Sequence, residues 1–376
     1  MYIMLKDTQV LYFDLADEVV EVIREDLLPY GLRVTIRPAA KKEDILHNIQ
    51  AVKSYLSSRV LSLSRDNAKQ IYEAFHIPQI ETTENRVNIC IGCKGVSIED
   101  SYWVKGDEEQ IKWENVNIRQ NELYEIIDIS LSGFSPSITT NAICPELTTK
   151  GLFRKGWIFL GDSLYLLKSD KTAEYVNTRM EVLASEILEC FENRIDSIVY
   201  LSDIKDTANG TAYVSICRNF IGEEYSFVEA CEVMEYCERS GIAFRDYCLE
   251  RWGSQFACIP VLDYIIMNTD RHTQNYGFLM NNKTGKIEQM APLFDLNCAL
   301  VADYFQCDAR DTLSQMFHTK ETVRELAFKY KDYTNLVFDQ EAFHKLAAGK
   351  GNEQLQHIFG RVLDRIRELG IALKEA

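Results

Sequence analysis

Apolar and polar positions alternate at the start of the chain, and the period changes soon after. In "YIML" and "VLYFDL" the two kinds of side chain trade places every second residue on either side of Lys6-Asp7-Thr8, which predicts a hairpin. Within "EDILHNIQAVKSYLSSRVLSL", Ile45, Ile49, Val52, Leu56, Val60 and Leu63 recur at helical spacing. "SRDNAKQIYEAF" predicts a second helix, opened by Ser64. From Arg86 to Ile129 the pattern reads as strand and loop, with Trp103 and Trp113 inside "SYWVKGDEEQIKWENVN". Aromatic side chains in strand-like segments usually fill the space between layers, so Trp103, Trp113 and Trp157 are expected in the core and not on a recognition face. The polar, turn-rich "SGFSPSITTNAICPE" predicts a linker and a boundary near Pro145.

After that boundary, "GLFRKGWIFL" and "SLYLLKS" flank a Gly161-Asp162 turn, and "SIVYLSDI" and "TAYVSICRNF" form a later strand pair. Between the pairs one amphipathic helix is predicted over about Thr178 to Phe191, with Val182, Leu183, Ile187, Leu188 and Phe191 in one stripe. Beyond Gly222 the pattern turns helical, in "SFVEACEVMEYCERSG", in "FRDYCLERWGSQFACIPVLDYIIMN" and in a set from Asp311 to Ala376. The last helix carries Leu355, Ile358, Val362, Ile366 and Leu369 on one face. The reading is α+β: an extension over 1–144, a small β-rich lobe over 145–222 and a large helical lobe over 223–376.

Composition narrows the partners. A chain of 376 residues, 46% apolar and 26% charged with 7 prolines, supports two or three packed units and argues against long disorder. The net charge of −16 disfavours nucleic acid or an anionic membrane as the main partner, though a local basic patch stays open. Eleven cysteines, an odd number without framework spacing, fit reduced thiols in the cytoplasm. Cys90 and Cys93 in "CIGC" have metal-type spacing, but no second pair lies close behind, and two strand or hairpin cysteines are the preferred reading. "MYIMLKDTQVLYF" reads as a strand and not as a signal peptide. The most apolar stretch, "FACIPVLDYIIM", is short and interrupted by Pro260 and Asp263, so no membrane span is expected.

Candidate chemistry centres on "NTDRHTQNYGFL", which sets Asp270, His272 and Asn275 between a helix-like run and a strand-like one. Asp295 follows in "MAPLFDLN". Phosphoryl transfer from ATP needs a carboxylate that orients the acceptor hydroxyl, an oxygen ligand from the same loop, and a second carboxylate that holds magnesium on the phosphates. A hairpin between Tyr276 and Asp295 would return the second acid to the first. The plainer reading has Asn268 and Asp270 capping turns and Asp295 ending a strand. Lys168, on the strand "LYLLKSD", and Glu181, at the start of the lobe's helix, stand in the relation by which a strand lysine holds phosphates while a helix glutamate fixes it. Glu186 competes for that role. His272 is expected to hold the loop's shape through hydrogen bonds, and Arg271 either to neutralise nearby phosphate or to cap a helix end.

Five ordered motifs, "TTKGLFRKGWI" leading to "LYLLKSD", "RMEVLASEIL", "VSICRNF", "DYIIMNTDRHTQNYGFL" and "APLFDLNCAL", resemble those of the HipA-like serine/threonine kinases. The similarity covers about Pro145 to Leu300, and the opening hairpin and the Trp103–Trp113 region are more weakly similar to the same branch. The "DRHxxN" core is also similar to that of phosphoinositide kinases.

The resemblance implies a bilobal, protein-kinase-like fold with an N-terminal extension, and transfer of the γ-phosphoryl group of ATP to Ser or Thr of a protein. It implies Asp270 as catalytic base, Asn275 and Asp295 as Mg2+ ligands, Lys168 on the phosphates and Glu181 as its partner. It implies further that Cys217 to Phe220, with Arg218, Asn219 and Phe220, form a hinge receiving adenine, and that Thr148 to Gly151, with Thr148 and Thr149, cover the phosphates. Members act as toxins or growth regulators, some beside a DNA-binding antitoxin. In this sequence the phosphate loop has only Gly151 and Gly156, and Leu-Asn follows Asp295 where eukaryotic-type kinases have Phe-Gly. Two alternatives stay open: the same site acting on a lipid or small molecule, or by nucleotidyl transfer, and a nucleotide-binding pseudokinase that serves as a scaffold.

Overall fold

A two-residue turn at Lys6 and Asp7, with Lys6 in the left-handed region (φ +50°), folds β1 (Tyr2–Leu5) back on β2 (Thr8–Asp14). Thr8 is thus the first residue of a strand and not part of the turn. The computed structural model describes residues 1–119, 154–172, 174–207 and 210–374. β3 (Val19–Val22) and β4 (Tyr102–Lys105) complete an antiparallel sheet in the order β3-β2-β1-β4. The predicted long helix runs from Lys42 to Ser58, and the next spans Ala68–Ala74 with Asn67, not Ser64, at its N-cap.

The expectation of strand and loop from Arg86 onward fails in its first part. Thr83–Gly92 is a helix capped by the Thr82 hydroxyl, which accepts a hydrogen bond from the amide of Asn85 at 3.2 Å. Cys90 lies buried on that helix and Cys93 closes it, so neither sits on a strand or hairpin. The β-branched residues of "RVNICIGC" mimic a strand, but Val87 and Cys90 at i, i+3 spacing give the helix its buried face.

The small lobe is a sheet in the order β5-β6-β9-β8, formed by β5 (Arg154–Leu160), β6 (Ser163–Ser169), β8 (Leu201–Thr207) and β9 (Gly210–Arg218). The helix Val176–Leu188 packs against it, ending earlier than its apolar stripe suggests because Phe191 belongs to β7 (Phe191–Glu192). The polypeptide then enters a helical lobe through β10 (Tyr225–Glu229), which pairs with the hairpin of β11 (Gly277–Asn281) and β12 (Ile287–Met290). "SFVEACEV" therefore divides: Ser226 to Glu229 are strand and helix begins at Ala230. The helix Phe244–Ile265 bends at Gly253 (φ +45°) and carries Pro260 without ending there. β13 (Val337–Phe338) joins β7 to β14 (Ala372–Leu373), closing the C-terminal helices onto the small lobe's helix.

Hydrophobic packing runs across the units. One cluster contains Ile3, Phe13 and Tyr72 of the extension together with Val233, Phe278 and Leu262 of the helical lobe. Another joins Trp103 and Trp113 to Leu164 of the small lobe, with Trp157 packed against it, as expected for tryptophans that fill layers. Polar contacts complete the docking. The Phe227 amide donates to the carbonyl of Glu99 at 2.7 Å, and Arg33 donates to the carbonyl of Gly285 at 2.8 Å. Gly285 (φ +62°) is required there, since a Cβ would stand 1.8 Å from the carbonyl oxygen of Asp26. No helix among the described residues is long and apolar enough to cross a membrane. The linker and the boundary near Pro145 lie outside the described residues.

Candidate active site

The two-residue turn at Gly161-Asp162 sets the register of β5 against β6, so that Lys155 pairs with Lys168. Directly paired residues of an antiparallel ladder share one face of the sheet. Lys168 donates from Nζ to Glu181 Oε1 at 2.7 Å and to Asp295 Oδ1 at 2.8 Å, and its ammonium lies 5.2 Å from the centre of the Tyr200 ring. Glu181 is fully buried, and its other oxygen accepts from Ser215 Oγ of β9 at 2.7 Å. The Asp170 carboxylate accepts from the amide and hydroxyl of Thr178, at 2.9 and 2.8 Å. That clip fixes the helix against the end of β6 and so aims Glu181 at Lys168. Glu186, the competing glutamate, pairs with Lys350 instead, at 2.7 Å.

Asp295 arrives by the β11–β12 return that its distance from Tyr276 requires. It holds a left-handed backbone (φ +55°), and its amide donates to Tyr200 Oη at 3.1 Å. A non-glycine residue in that region is locally costly, and such residues gather at functional sites. Burial works to raise its pKa, but Lys168 and then Lys155 outweigh it and bring the carboxyl down to about 2. Lys168 is held well above the usual lysine range, because Asp295 and Glu181 overcome the burial that would lower it.

The loop between the long helix and β11 is cinched by one buried arginine. Arg271 donates to both oxygens of Asp263 at 3.0 Å and, from Nη1, to the carbonyls of Asn275 and Phe294 at 2.5 and 2.6 Å. Asn268 adds a bond to Asp263 at 3.0 Å. Arg271 thus spends its bonds inside the loop and not on a helix end. It ties the loop to the residue before Asp295, since four of its five N–H donors go to Asp263 on one side and to two carbonyls on the other. His272 accepts from the Gln274 amide through Nδ1 at 3.2 Å, and its own amide donates to the Asp270 carbonyl at 2.9 Å, a loop-shaping position.

Asp270 is left with weak contacts, to Gln315 Nε2 at 3.4 Å and Cys298 Sγ at 3.9 Å. Burial raises its pKa, against the opposing pull of His272. The Asn275 carboxamide donates from Nδ2 to the Asp270 carbonyl at 2.9 Å, which leaves its oxygen as the atom for a ligand. Asp270, Asn275 and Asp295 open onto one cavity of about 630 Å³. Its walls include Lys155 and, from the extension, Tyr55, Arg59 and Asp100, the last two joined at 2.7 Å.

Arg218 ends β9 and is exposed. The Asn219 amide donates to the Leu164 carbonyl at 2.8 Å, and Phe220 packs on Phe294 with ring centres 5.5 Å apart. These three residues form the link from the β-rich lobe to the helical one. Thr148, Thr149 and Gly151 lie outside the described residues.

The donor set suits a hard cation that also takes oxygens from a bound phosphate. Asp295 supplies an anionic oxygen, Asn275 a neutral one, and Asn297, also on the cavity wall, has a buried side-chain oxygen with no hydrogen-bond partner among the described residues. Among the described residues there is no group of three or more His, Cys, Asp or Glu placed to hold a metal by itself. Sequence reasoning missed Lys155, Asn297, Asp263 and Tyr200. Only Lys155 left a usable signal, since counting outward from a two-residue turn pairs it with Lys168.

No family profile matches the sequence, and no curated protein matches it. Solved structures similar to it include the Helicobacter pylori proinflammatory kinase CtkA, at 14% identity and a TM-score of 0.41, covering 58% of this chain and 89% of that one. They also include the Shewanella oneidensis MR-1 toxin-antitoxin system of HipA and HipB with its operator DNA. There the identity is 16% and the TM-score 0.45, with 100% of this chain and 92% of that one covered.

Proposed function

We propose that this chain is an ATP-dependent phosphotransferase of the HipA-like kinase type, which moves the γ-phosphoryl group of ATP to a Ser or Thr hydroxyl of a protein. The observation that carries the reading is the double tether of Lys168, to Glu181 and to Asp295, behind a cavity onto which Asp270 and Asn275 also open. Lys168 holds the α- and β-phosphates, and Glu181 with Ser215 keeps its ammonium in place. Asp270 accepts the proton of the acceptor hydroxyl while that oxygen bonds the γ-phosphorus. The bond from the γ-phosphorus to the β-γ bridging oxygen breaks, and ADP leaves. Asn275 and Asp295, with Asn297 beside them, would hold Mg2+, which supplies charge neutralisation on the phosphates.

A pseudokinase scaffold is disfavoured, because degraded kinases typically lose a lysine, base or metal ligand and this chain has Lys168, Asp270, Asn275 and Asp295 together. The motif resemblance extends the proposal to growth control beside a DNA-binding antitoxin. The charge of −16 leaves any DNA contact to that partner. Incubation of purified protein and candidate acceptors with γ-labelled or α-labelled ATP and magnesium tests the reading. Incorporation of γ-label alone supports it; α-label incorporation means nucleotidyl transfer, and no incorporation with tight ATP binding means a scaffold.

A further inference from the structure

The cavity onto which Asp270, Asn275 and Asp295 open is walled in large part by the extension, to which the mechanism above gives no task. Tyr55, Ser58, Arg59, Ser62, Ser64 and Arg86 line it, whereas Arg218, Asn219 and Phe220, the link expected to receive adenine, do not. The cavity thus runs from Asp270 along the extension and not along that link. A hydroxyl that gives its proton to Asp270 must lie in this space, and so must the segment that carries it.

Two guanidiniums stand on the wall, and they differ in what they have left to donate. Arg59 spends all five N–H groups, on both oxygens of Asp100, on Tyr55 Oη and on the carbonyls of Gly95 and Tyr102. Arg86, on the helix Thr83–Gly92, spends three: Nε on the Ser57 carbonyl at 2.9 Å, Nη2 on the Val60 carbonyl and Nη1 on Glu81, both at 2.5 Å. One N–H on each terminal nitrogen has no partner among the described residues. Glu81 offsets the charge only weakly, since it is nearly half exposed, also accepts from the Leu63 amide at 3.1 Å, and is not on the cavity wall. Asp100, Glu229 and Glu232 share the wall but bond elsewhere: Asp100 to Arg59, Glu229 to Gln274 at 3.1 Å, and Glu232 to the amides of Gly31 and Glu229 at 3.0 and 3.2 Å. A guanidinium with an open N–H on each terminal nitrogen is matched by a carboxylate, whose two oxygens can take the pair.

We propose that the extension forms the acceptor side of the active site, and that Arg86 selects acceptor segments with an acidic side chain near the Ser or Thr to be phosphorylated. This rests on the kinase reading and deepens it, since Asp270 serves the reaction and Arg86 chooses what undergoes it.

The test gives full-length wild type, Arg86→Gln and Arg86→Glu γ-labelled ATP, magnesium and an array of Ser and Thr peptides that carry Asp, phosphoserine, Ala or Lys at each flanking position. The readout is the ratio of labelling between peptides within one protein sample, which partial unfolding leaves unchanged. Wild type should favour Asp over Ala by about tenfold at one flanking position, the size of one charge-assisted contact. Arg86→Gln should lose that preference and Arg86→Glu should turn it towards Lys, while both bind magnesium-ATP as the wild type does. If Arg86→Gln does not fold, Arg86→Lys, which keeps the charge but not the fork, should show a weakened preference. No Asp preference in the wild type, an Asp preference retained in Arg86→Gln, or weaker ATP binding in that variant would overturn the proposal. A preference for phosphoserine without one for Asp would overturn the choice of a carboxylate. A wild type that labels a protein acceptor but no peptide would overturn this proposal alone, and one that labels nothing would overturn the kinase reading with it.

Discussion

Arg271 grips Asp263 with two bonds of 3.0 Å while its third nitrogen ties down the carbonyl of Phe294, so one guanidinium joins the end of the long helix, the Asp270 loop and the approach to Asp295. Both charges are almost fully buried. Removing one leaves the other uncompensated in a poorly solvated place, which costs about 3–5 kcal/mol. Asp263→Ala should therefore lower unfolding stability by about that amount in urea denaturation, and should depress phosphoryl transfer even where the protein remains folded. A variant as stable as wild type would show that the pair does not organise the loop.

Glu181 holds Lys168 with one carboxylate oxygen and Ser215 with the other, and it is not among the residues that line the cavity. Glu181→Gln keeps the shape and the bond from Ser215 but removes one of the two charges that hold the ammonium. Transfer should fall by on the order of 100-fold, as for a misplaced positioning group, while the fold persists. Ser215→Ala should have a smaller effect in the same direction. Steady-state rates beside melting temperatures separate the two contributions, and an unaltered rate in Glu181→Gln would remove Glu181 from the site.

The two aspartates have pKa values shifted in opposite directions. Asp295 titrates at about 2 in the folded protein, below the ordinary 3.8. Its contribution to stability is present above the ordinary value and is lost as the pH falls through 3.8 towards 2. Asp270 is raised, so ionising it in the folded state is disfavoured, and a base there loses activity at a higher pH than an ordinary aspartate would. Urea denaturation across that acid window should show a flatter pH dependence for Asp295→Asn than for wild type. The acid limb of the rate profile should lie above the ordinary aspartate value.

Gly285 brings the β11–β12 hairpin against the backbone of Asp26. Gly285→Ala introduces both a left-handed alanine and a clash with the Asp26 carbonyl, which accepts from Arg33 Nη2 at 2.8 Å. The loss should be on the order of 2 kcal/mol or more, read by denaturation. Faster proteolysis within residues 20–40 should accompany it, because that contact docks the extension. Unchanged stability would mean that the extension is held mainly by its hydrophobic face.

Much of this arrangement is legible from local pattern. Strong period-two and period-3.6 stretches give the opening hairpin, the helix at Lys42–Ser58, the strand pairs around Lys168 and the last helix. The spacing of Asp270, Asn275 and Asp295 points to one cavity. The failures have physical causes. "RVNICIGC" has β-branched composition yet buries a helical face. "SFVE" is too short to read as a strand by itself and becomes β10 by pairing with β11, whose residues lie about 50 positions further along the chain. The work of Arg271 depends on Asp263, whose position reads in the sequence as a break in an apolar run. Asn297 is identified only by its place on the cavity wall and a buried oxygen with no partner among the described residues, which no spacing reveals.

The central claim is that Asp270 serves the acceptor and Asp295 serves the metal. If so, Asp270→Asn should abolish transfer while ATP with magnesium still binds, because Asn275 and Asp295 remain. Asp295→Asn should weaken binding only when magnesium is present, since a hard cation exchanges an anionic oxygen for a neutral one. Calorimetric titration of ATP into both variants, with and without magnesium, is the most direct measurement. Binding should be undiminished for Asp270→Asn and should fall in a magnesium-dependent way for Asp295→Asn; equal losses in the two variants would contradict these roles.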